Sequence, residues 1–152
     1  KEVFEAKEIN NHHRAKRIKH LKQIDIGTFK IIPLEMNHDV PCVGFLIYSV
    51  VTNEKLLFAT DTYMIKYAFH GLDYIMIEAN YDIELVEEDT QRKRLIQSHM
   101  SIDTTIQYLK SIDLNTVKKI YLMHLSSRHS NEEDFKRRVQ AATGKVVEVC
   151  QE

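Results

Sequence analysis

Four apolar segments of this 152-residue chain end on a side chain that can bind a metal or exchange a proton. Each segment is rich in β-branched and aromatic residues and is typical of a buried strand until its last positions. An unpaired ionisable group is costly inside a core, whereas the carboxyl ends of strands are where ligand sites of sheets form. The repetition therefore predicts a metal or acid–base site at one edge of a sheet. The segments span residues 29–38, 55–61, 74–78 and 119–124, and they end on His38, Asp61, Glu78 and His124.

The composition is that of an ordinary globular domain, and we treat residues 1–152 as one domain. A hydrophobic content of 43% is typical of such domains, and the length suffices for a single core. The net charge of −1 gives no general attraction to nucleic acid or to an anionic membrane. No apolar run is long enough to span a bilayer. Cys42 and Cys150 are far apart and fit unpaired thiols in a reducing cytoplasm better than a disulfide framework.

The order of the predicted elements favours a mixed α/β fold, because strands come first and then alternate with helices. Asn131 is predicted to cap the last helix and Gly144 to end it. Residues 63–69 are predicted to form either a short strand or a helical turn, and residues 25–27 a turn. The predicted strands are residues 29–36, 43–51, 55–60, 74–78, 119–123 and 146–149, with the second and third forming a hairpin. The predicted helices are residues 2–9, residues 84–97, one that begins at Ser101, and residues 132–142.

His38, Asp61 and His124 form a His/Asp/His set, and these donor types suit zinc. Each member also has an ordinary explanation. A histidine at the end of a strand is more often structural than a ligand, and an aspartate before a threonine is common in turns. The set is therefore more specific than any of its members.

Glu78 and His99 are candidates for acid–base chemistry. Glu78 ends a strand that is too apolar to carry a solvated acid, and His99 lies near a predicted helix start. In such a pair the glutamate orients the imidazole, which passes a proton to a leaving group. Taken on the residues alone, the alternative of a loop acid and a surface histidine ranks first.

Two basic segments are candidates for phosphate contacts. Residues 12–22 contain five lysines and arginines, although a solvated face is the usual explanation for such a run. Ser126 and Ser130 flank a basic loop after His124. They either bind a phosphate of the substrate, for which Ser126 is the candidate, or initiate the next helix.

Five blocks taken together resemble the metallo-β-lactamase fold family, near its small bacterial and phage members of the ribonuclease Z and ribonuclease J nuclease branch. The resemblance implies an αββα sandwich and a metal-dependent hydrolase, a phosphodiesterase or nuclease that attacks its substrate with a metal-bridged hydroxide. A thioester or a cyclic phosphate is an alternative substrate. The blocks are Met36-Asn37-His38-Asp39 with residues 44–48 behind it, residues 57–62, residues 77–81, Ser98-His99-Met100-Ser101, and residues 122–126.

The resemblance also implies roles for particular residues. His38 would bind the first metal, Asp61 would bridge two metals and His124 would bind the second. Glu78 and His99 would handle the leaving group. The implied cofactor is a pair of zinc ions, with manganese as an alternative, and the implied substrate is a phosphodiester or a nucleic acid.

The chain departs from the family in one large respect. The H-x-H-x-D-H motif that provides most metal ligands is absent, and Asn11-His12-His13-Arg14 lacks both its spacing and its aspartate. The resemblance therefore covers the C-terminal two-thirds of the family domain. We expect this chain alone to bind metal weakly and to be inactive, because a zinc site needs at least three protein ligands.

Three explanations of that departure remain open. The chain is a fragment of an active enzyme, or a separate segment completes it, or it is a degenerate homologue that binds nucleic acid or protein. A start at Lys1 rather than at a methionine favours the fragment. An incomplete sandwich would expose an apolar face, so we also expect a homodimer or a contact with a companion segment.

Overall fold

The structure is a computed structural model that describes residues 18–88 and 90–150. The helix predicted at residues 2–9 and residues 12–17 of the basic segment lie outside the described part of the chain. None of the described helices is both long enough and apolar enough to cross a membrane.

Seven strands form one mixed sheet and lie in it in chain order. Strand β2 is antiparallel to both β1 and β3, and β3 is antiparallel to β4, whereas the strands from β4 to β7 pair in parallel. It follows that β2, β4, β5, β6 and β7 all run in one direction, so their carboxyl ends share one edge of the sheet. The strands are β1 (Ile24–Ile26), β2 (Phe29–Met36), β3 (Cys42–Ser49), β4 (Lys55–Ala59), β5 (Tyr74–Glu78), β6 (Lys119–Met123) and β7 (Val146–Val149).

The helices of the described residues are α1 (Thr90–Ser98), α2 (Ile102–Ser111), α3 (Glu132–Thr143) and a short 3-10 helix (Ile83–Leu85). Ser101 caps α2, since its hydroxyl accepts a hydrogen bond from the backbone N–H of Thr104. Asn131 caps α3 in the same way, and Gly144 ends α3 with a left-handed backbone at φ 66°. The two ends of α3 confirm the capping predictions, and α2 begins where the sequence predicts.

One face of the sheet forms the hydrophobic core with α2 and α3. The alternation of the strands turns Ile75 and Ile77 of β5, and Ile120 and Leu122 of β6, toward this side, where all four are fully buried. Helical spacing presents residues of the two helices to the same cluster, namely Ile102, Leu109, Phe135 and Val139. The α/β class expected from the sequence is confirmed.

The opposite face of the central strands is also apolar. The strand register aligns Phe45, Phe58, Met76 and Tyr121 in one row across β3, β4, β5 and β6. These four side chains are half-buried, unlike their fully buried counterparts on the core face. The sandwich implied by the resemblance has two sheets, and the described residues form one of them.

Three local predictions need correction. Residues 24–26 form β1, which pairs with β2, and the turn follows at Gly27 (φ 56°) and Thr28. Residues 63–69 form neither a strand nor a helix. Side chains satisfy the backbone carbonyls there, since Thr62 and Asn37 donate to the carbonyl of Met64. The helix predicted at residues 84–97 is divided, because the Asp82 side chain caps the 3-10 helix and α1 begins later.

Gly44 lies where β3 passes very close to its neighbours. A Cβ atom there would be 2.7 Å from the backbone oxygen of Phe58 and 3.0 Å from the Met36 side chain. Since backbone cannot move aside cheaply, we expect Gly44→Ala to lower the free energy of unfolding by about 2 kcal/mol. Urea denaturation measures this. The neighbouring, exposed Val43→Ala is the control and should cost less than about 1 kcal/mol. Equal losses in the two variants would contradict the close approach.

Asp73 connects three strands at the amino edge of the sheet. Its carboxylate accepts a hydrogen bond from the Lys55 backbone N–H at 2.9 Å and pairs with Lys118 Nζ at 3.0 Å. The bond from Lys55, followed by the contact with Lys118, lowers the pKa of Asp73 below its ordinary value. A carboxyl whose pKa is lowered by folding stabilises the protein above its unfolded pKa, and the contribution is lost as the pH falls through the folded pKa.

We therefore expect Asp73→Asn to lower the free energy of unfolding by roughly 1–2 kcal/mol at pH 7. The difference from the wild type should be smaller at pH 3, because the pH is then falling toward the lowered pKa of the native carboxyl. Urea denaturation at both pH values measures it, with the exposed Asp25→Asn as the control. A difference that stays the same at both pH values would show that charge at Asp73 is not what stabilises this edge.

Candidate metal and acid–base site

Five polar side chains lie together at the carboxyl edge of the sheet. Four of them end or follow β2, β4, β5 and β6, and the fifth, His99, lies between α1 and α2. The imidazole of His99 is central, with ring centroids 5.0 Å from His38 and 5.1 Å from His124. Asp61 and Glu78 lie within ion-pair distance of these histidines. The structure thus brings together the metal and acid–base residues that the sequence singled out.

The backbone at this edge is unusual at two of the five positions. Asp61 has φ 54° and His124 has φ 55°, both in the left-handed region. Residues other than glycine are uncommon there, although Asp, Asn and His tolerate it best, and such conformations concentrate at functional sites. The side-chain amide of Asn80 supports the second position by donating a 2.7 Å hydrogen bond to the carbonyl of His124.

Asn80 also connects the loops around the site. Its backbone N–H donates to the carbonyl of Met100, and its carbonyl accepts from the N–H of Ser126. The loops that carry His99 and His124 are therefore both fastened to the residues just after β5. From the sequence alone Asn80 has no predicted role, and the signal that could have found it is its position two residues after Glu78.

Glu78 is fully buried beside His99 and His124. Its Oε1 lies 2.6 Å from Nδ1 of His99 and 3.1 Å from Nδ1 of His124, while Oε2 accepts a 2.9 Å hydrogen bond from the Thr62 backbone N–H. Burial by itself would raise the pKa of Glu78, but the contacts from His124, His99 and Thr62 outweigh it and hold the pKa below its ordinary value. The Glu78 carboxyl thus lies against two imidazoles that favour its charged form, and it is placed to orient them.

His38 is held from its other side by Asp39. Nδ1 of His38 lies 2.7 Å from a carboxylate oxygen of Asp39, whose second oxygen accepts a 2.8 Å hydrogen bond from Nε of Arg94 in α1. The Val40 N–H is 3.3 Å from the same nitrogen of His38, and the shorter contact favours Nδ1 as a donor to Asp39. Such a carboxylate typically supports a metal-binding histidine through the nitrogen that does not bind the metal.

The residues of the site fit a metal ion on two observations. Nε2 of His38 is buried and has no hydrogen-bond partner in the described part of the chain. Oδ1 of Asp61 lies 4.0 Å from that nitrogen and 3.5 Å from Nδ1 of His124, between the two histidines as a bridging carboxylate would be. Imidazole and carboxylate donors suit zinc and, with more oxygen, manganese.

The structure adds one residue, His99, to the candidate metal ligands that the sequence suggested. Potential ligand atoms of His38, Asp61 and His99 lie within 4.8 Å of one another, as do those of Glu78, His99 and His124. His99, which the resemblance implies only as an acid–base residue, is therefore also close enough to be a ligand.

Ser126 has a local structural role. Its hydroxyl accepts hydrogen bonds from the backbone N–H groups of Arg128 (3.3 Å) and His129 (3.2 Å), which shape the turn before α3. The helix itself begins at the Asn131 cap. A substrate contact of Ser126 stays a prediction.

The sequence matches no protein-family model and no curated protein. Solved structures do match, and three of them are informative. The metallo-β-lactamase fold protein YhfI from Bacillus subtilis superposes with a TM-score of 0.70 at 12% identity, over 98% of this chain and 58% of that protein. A diphosphatase from the PhnP family gives a TM-score of 0.67 at 17% identity, over 99% of this chain and 52% of that one.

Human tRNase Z, short form, gives a TM-score of 0.52 at 18% identity, over 85% of this chain and 43% of that chain. The chain thus spans roughly half the length of these three structures. At identities this low, the structural similarity shows the fold alone. That fold agrees with the family that the five sequence blocks resemble. The chain has the metallo-β-lactamase fold.

Proposed function

We propose that the cluster is part of the catalytic centre of a metal-dependent hydrolase that cleaves phosphodiesters. The observation that carries the proposal is the 2.6 Å contact between buried Glu78 and His99, set beside the metal-competent pair His38 and Asp61. An oriented imidazole next to a metal site provides both parts that diester hydrolysis needs, charge stabilisation and a proton for the leaving oxygen.

In this proposal His38, Asp61 and His124 provide metal ligands, and bound metal would supply Lewis-acid stabilisation and an activated water. Asp39 fixes the ring of His38 through Nδ1. Glu78 fixes His99 through its Nδ1, which leaves Nε2 of that ring to donate a proton to the departing oxygen. The imidazole then regains its proton from solvent.

Two observations support a phosphodiester over a lactam or a thioester. The similar structures include a PhnP-family diphosphatase and a tRNase Z. In addition, alkoxide leaving groups of diesters benefit most from a positioned acid such as His99. A nuclease is one form of this activity, and we propose it as the narrower alternative within the class.

The proposal is tested with the full product of the reading frame that encodes this chain, after metal removal. We expect hydrolysis of bis(p-nitrophenyl) phosphate once Mn²⁺ or Zn²⁺ is restored, and none of a chromogenic cephalosporin or of a glutathione thioester. A protein that hydrolyses only the lactam or the thioester would overturn the phosphodiester assignment while leaving a metal hydrolase in place.

A non-catalytic binding module is the second candidate. The observation in its favour is the small number of ligands, since the described residues provide fewer than two zinc ions require. It predicts salt-sensitive binding of an oligonucleotide without turnover at any metal concentration. Binding that disappears even at low salt would exclude it.

We also propose that the half-buried apolar row of Phe45, Phe58, Met76 and Tyr121 is covered in the working protein, by a further segment or by a second copy. An uncovered apolar face of this kind favours association. Sedimentation of the isolated chain tests the second copy, and a monodisperse monomer would count against it.

A further inference from the structure

A cavity of about 530 Å³ opens beside the cluster, and the proposed catalytic residues form only one side of it. That volume lies within the range of about 300–1,000 Å³ in which proteins bind small ligands. His38 and His99 line the catalytic side of the cavity. Its other polar lining residues include Arg92, Arg94, Ser98 and Arg128. The catalytic chemistry described above uses none of these four residues directly.

Ser98 is the most telling of the four. It is 2% exposed, and its Oγ is buried with no hydrogen-bond partner in the part of the chain that the structure describes. Buried hydroxyls are nearly always hydrogen-bonded, because an unsatisfied donor in a protein interior is costly. An unsatisfied donor in the wall of a cavity therefore points to a ligand that offers an acceptor.

Arg128 supplies charge to the same cavity. Its side chain is exposed, and no carboxylate lies within ion-pair distance of it among the described residues. It follows β6 in the loop that carries His124, so it belongs to the same edge of the sheet. A guanidinium presents five N–H donors in a planar fork that matches the oxygens of a phosphate.

Arg94 adds donors from α1, and Arg92 lies in the same wall. Arg94 uses Nε for Asp39, which leaves the other nitrogens of its fork for a ligand. Arg92 donates to the Val86 carbonyl and lies 3.4 Å from Glu88. Glu87 also lines the cavity, so the wall is not uniformly cationic. What distinguishes it is the density of N–H and O–H donors rather than a large net charge.

We propose that this donor-rich wall binds a second phosphate group of the substrate, one that is not cleaved. The inference rests on the proposed function, since it places the scissile diester at His38, Asp61 and His99 and the second phosphate at Ser98 and Arg128. The substrate class is thus narrowed to phosphodiesters that carry an additional phosphate on the same nucleoside or sugar.

Two chromogenic esters that differ by one phosphate test this. They are the p-nitrophenyl ester of thymidine 5′-phosphate and the same ester with a 3′-phosphate, used with the full protein and Mn²⁺. We expect the additional phosphate to lower KM about tenfold, and we expect Arg128→Gln and Ser98→Ala to bring the ratio of the two KM values close to one. Lys110→Gln, which changes an exposed cation on α2 outside the cavity, should keep the tenfold ratio.

A binding measurement separates this inference from the proposed function. Calorimetry compares thymidine 3′,5′-bisphosphate with thymidine 5′-phosphate on the wild type and on Arg128→Gln. Tighter binding of the bisphosphate that depends on Arg128, without hydrolysis of either ester, would retain the phosphate site and overturn the catalytic proposal. Hydrolysis of both esters with equal KM, together with equal affinities for the two nucleotides, would overturn the phosphate site alone.

Discussion

Replacing Asp61 by asparagine is expected to abolish metal-dependent hydrolysis in the full protein, a fall of at least about 1,000-fold in turnover. The Oδ1 atom of Asp61 lies between Nε2 of His38 and Nδ1 of His124. Its negative charge would therefore stabilise any cation held there. Asparagine retains the shape of the side chain and tolerates the φ of 54°, and the loss is therefore attributable to the charge. Turnover of bis(p-nitrophenyl) phosphate and metal content by mass spectrometry are the two measurements.

Asp25→Asn provides the matched control, since it removes an exposed carboxylate on β1 without touching the site. It should leave both turnover and metal content unchanged. Asp61→Ala is expected to be equally inactive and also less stable, because alanine does not favour a left-handed backbone. Retained activity in Asp61→Asn would contradict a role of Asp61 as a metal-binding or bridging carboxylate.

Replacing Glu78 by glutamine is expected to have the second largest effect, and its size should depend on the leaving group. Glutamine keeps the volume of the fully buried side chain but removes the charge that faces His99 and His124. On a dinucleotide, whose alkoxide leaves only with a proton, we expect turnover to fall roughly 100-fold. On a p-nitrophenyl ester, which leaves as a stable anion, the fall should be less than about tenfold.

Measuring His99→Asn with the same two substrates shows whether Glu78 and His99 act together or independently. If Glu78 acts through His99, the double variant should be little worse than either single variant on the dinucleotide. Equal losses on both substrates in Glu78→Gln would instead show that Glu78 acts by holding His124 and the metal, and the leaving-group role would be wrong.

The sheet was predictable from the sequence wherever an apolar run had clear ends. The predicted bounds of β5, β6 and β7 agree with the structure, because each run is apolar and stops at a polar or glycine-containing segment. Strand β1 was missed because Ile24-Asp25-Ile26 is short and Ile26 is 57% exposed, so only its pairing with β2 defines it. No local pattern carries that information.

The convergence of the site was predictable for a topological reason. Strands β2, β4, β5 and β6 run in the same direction, so residues at their ends share one edge of the sheet. Contacts made by side chains distant in sequence were not predictable. Asp39 and Arg94 are 55 residues apart, and nothing in either segment indicates that α1 will support His38.

Two aspects of the site depend on backbone geometry that residue types do not reveal. Asn80 supports the left-handed backbone of His124 through a hydrogen bond to a carbonyl, which any nearby donor could have made. The hydroxyl of Ser126 is directed to backbone N–H groups, although its position after His124 equally suited a substrate contact. Sequence can nominate such residues, and only the fold assigns their partners.

The most direct measurement is a metal titration of phosphodiester hydrolysis. The full product of the reading frame is stripped of metal and then titrated with Mn²⁺ or Zn²⁺ while bis(p-nitrophenyl) phosphate turnover is followed, with Asp61→Asn measured in parallel. A cluster that works as proposed gives turnover that rises with metal and saturates in the wild type, and stays at background in the variant. Turnover that is independent of metal, or equal in the two proteins, would contradict a metal hydrolase centred on His38, Asp61 and His124.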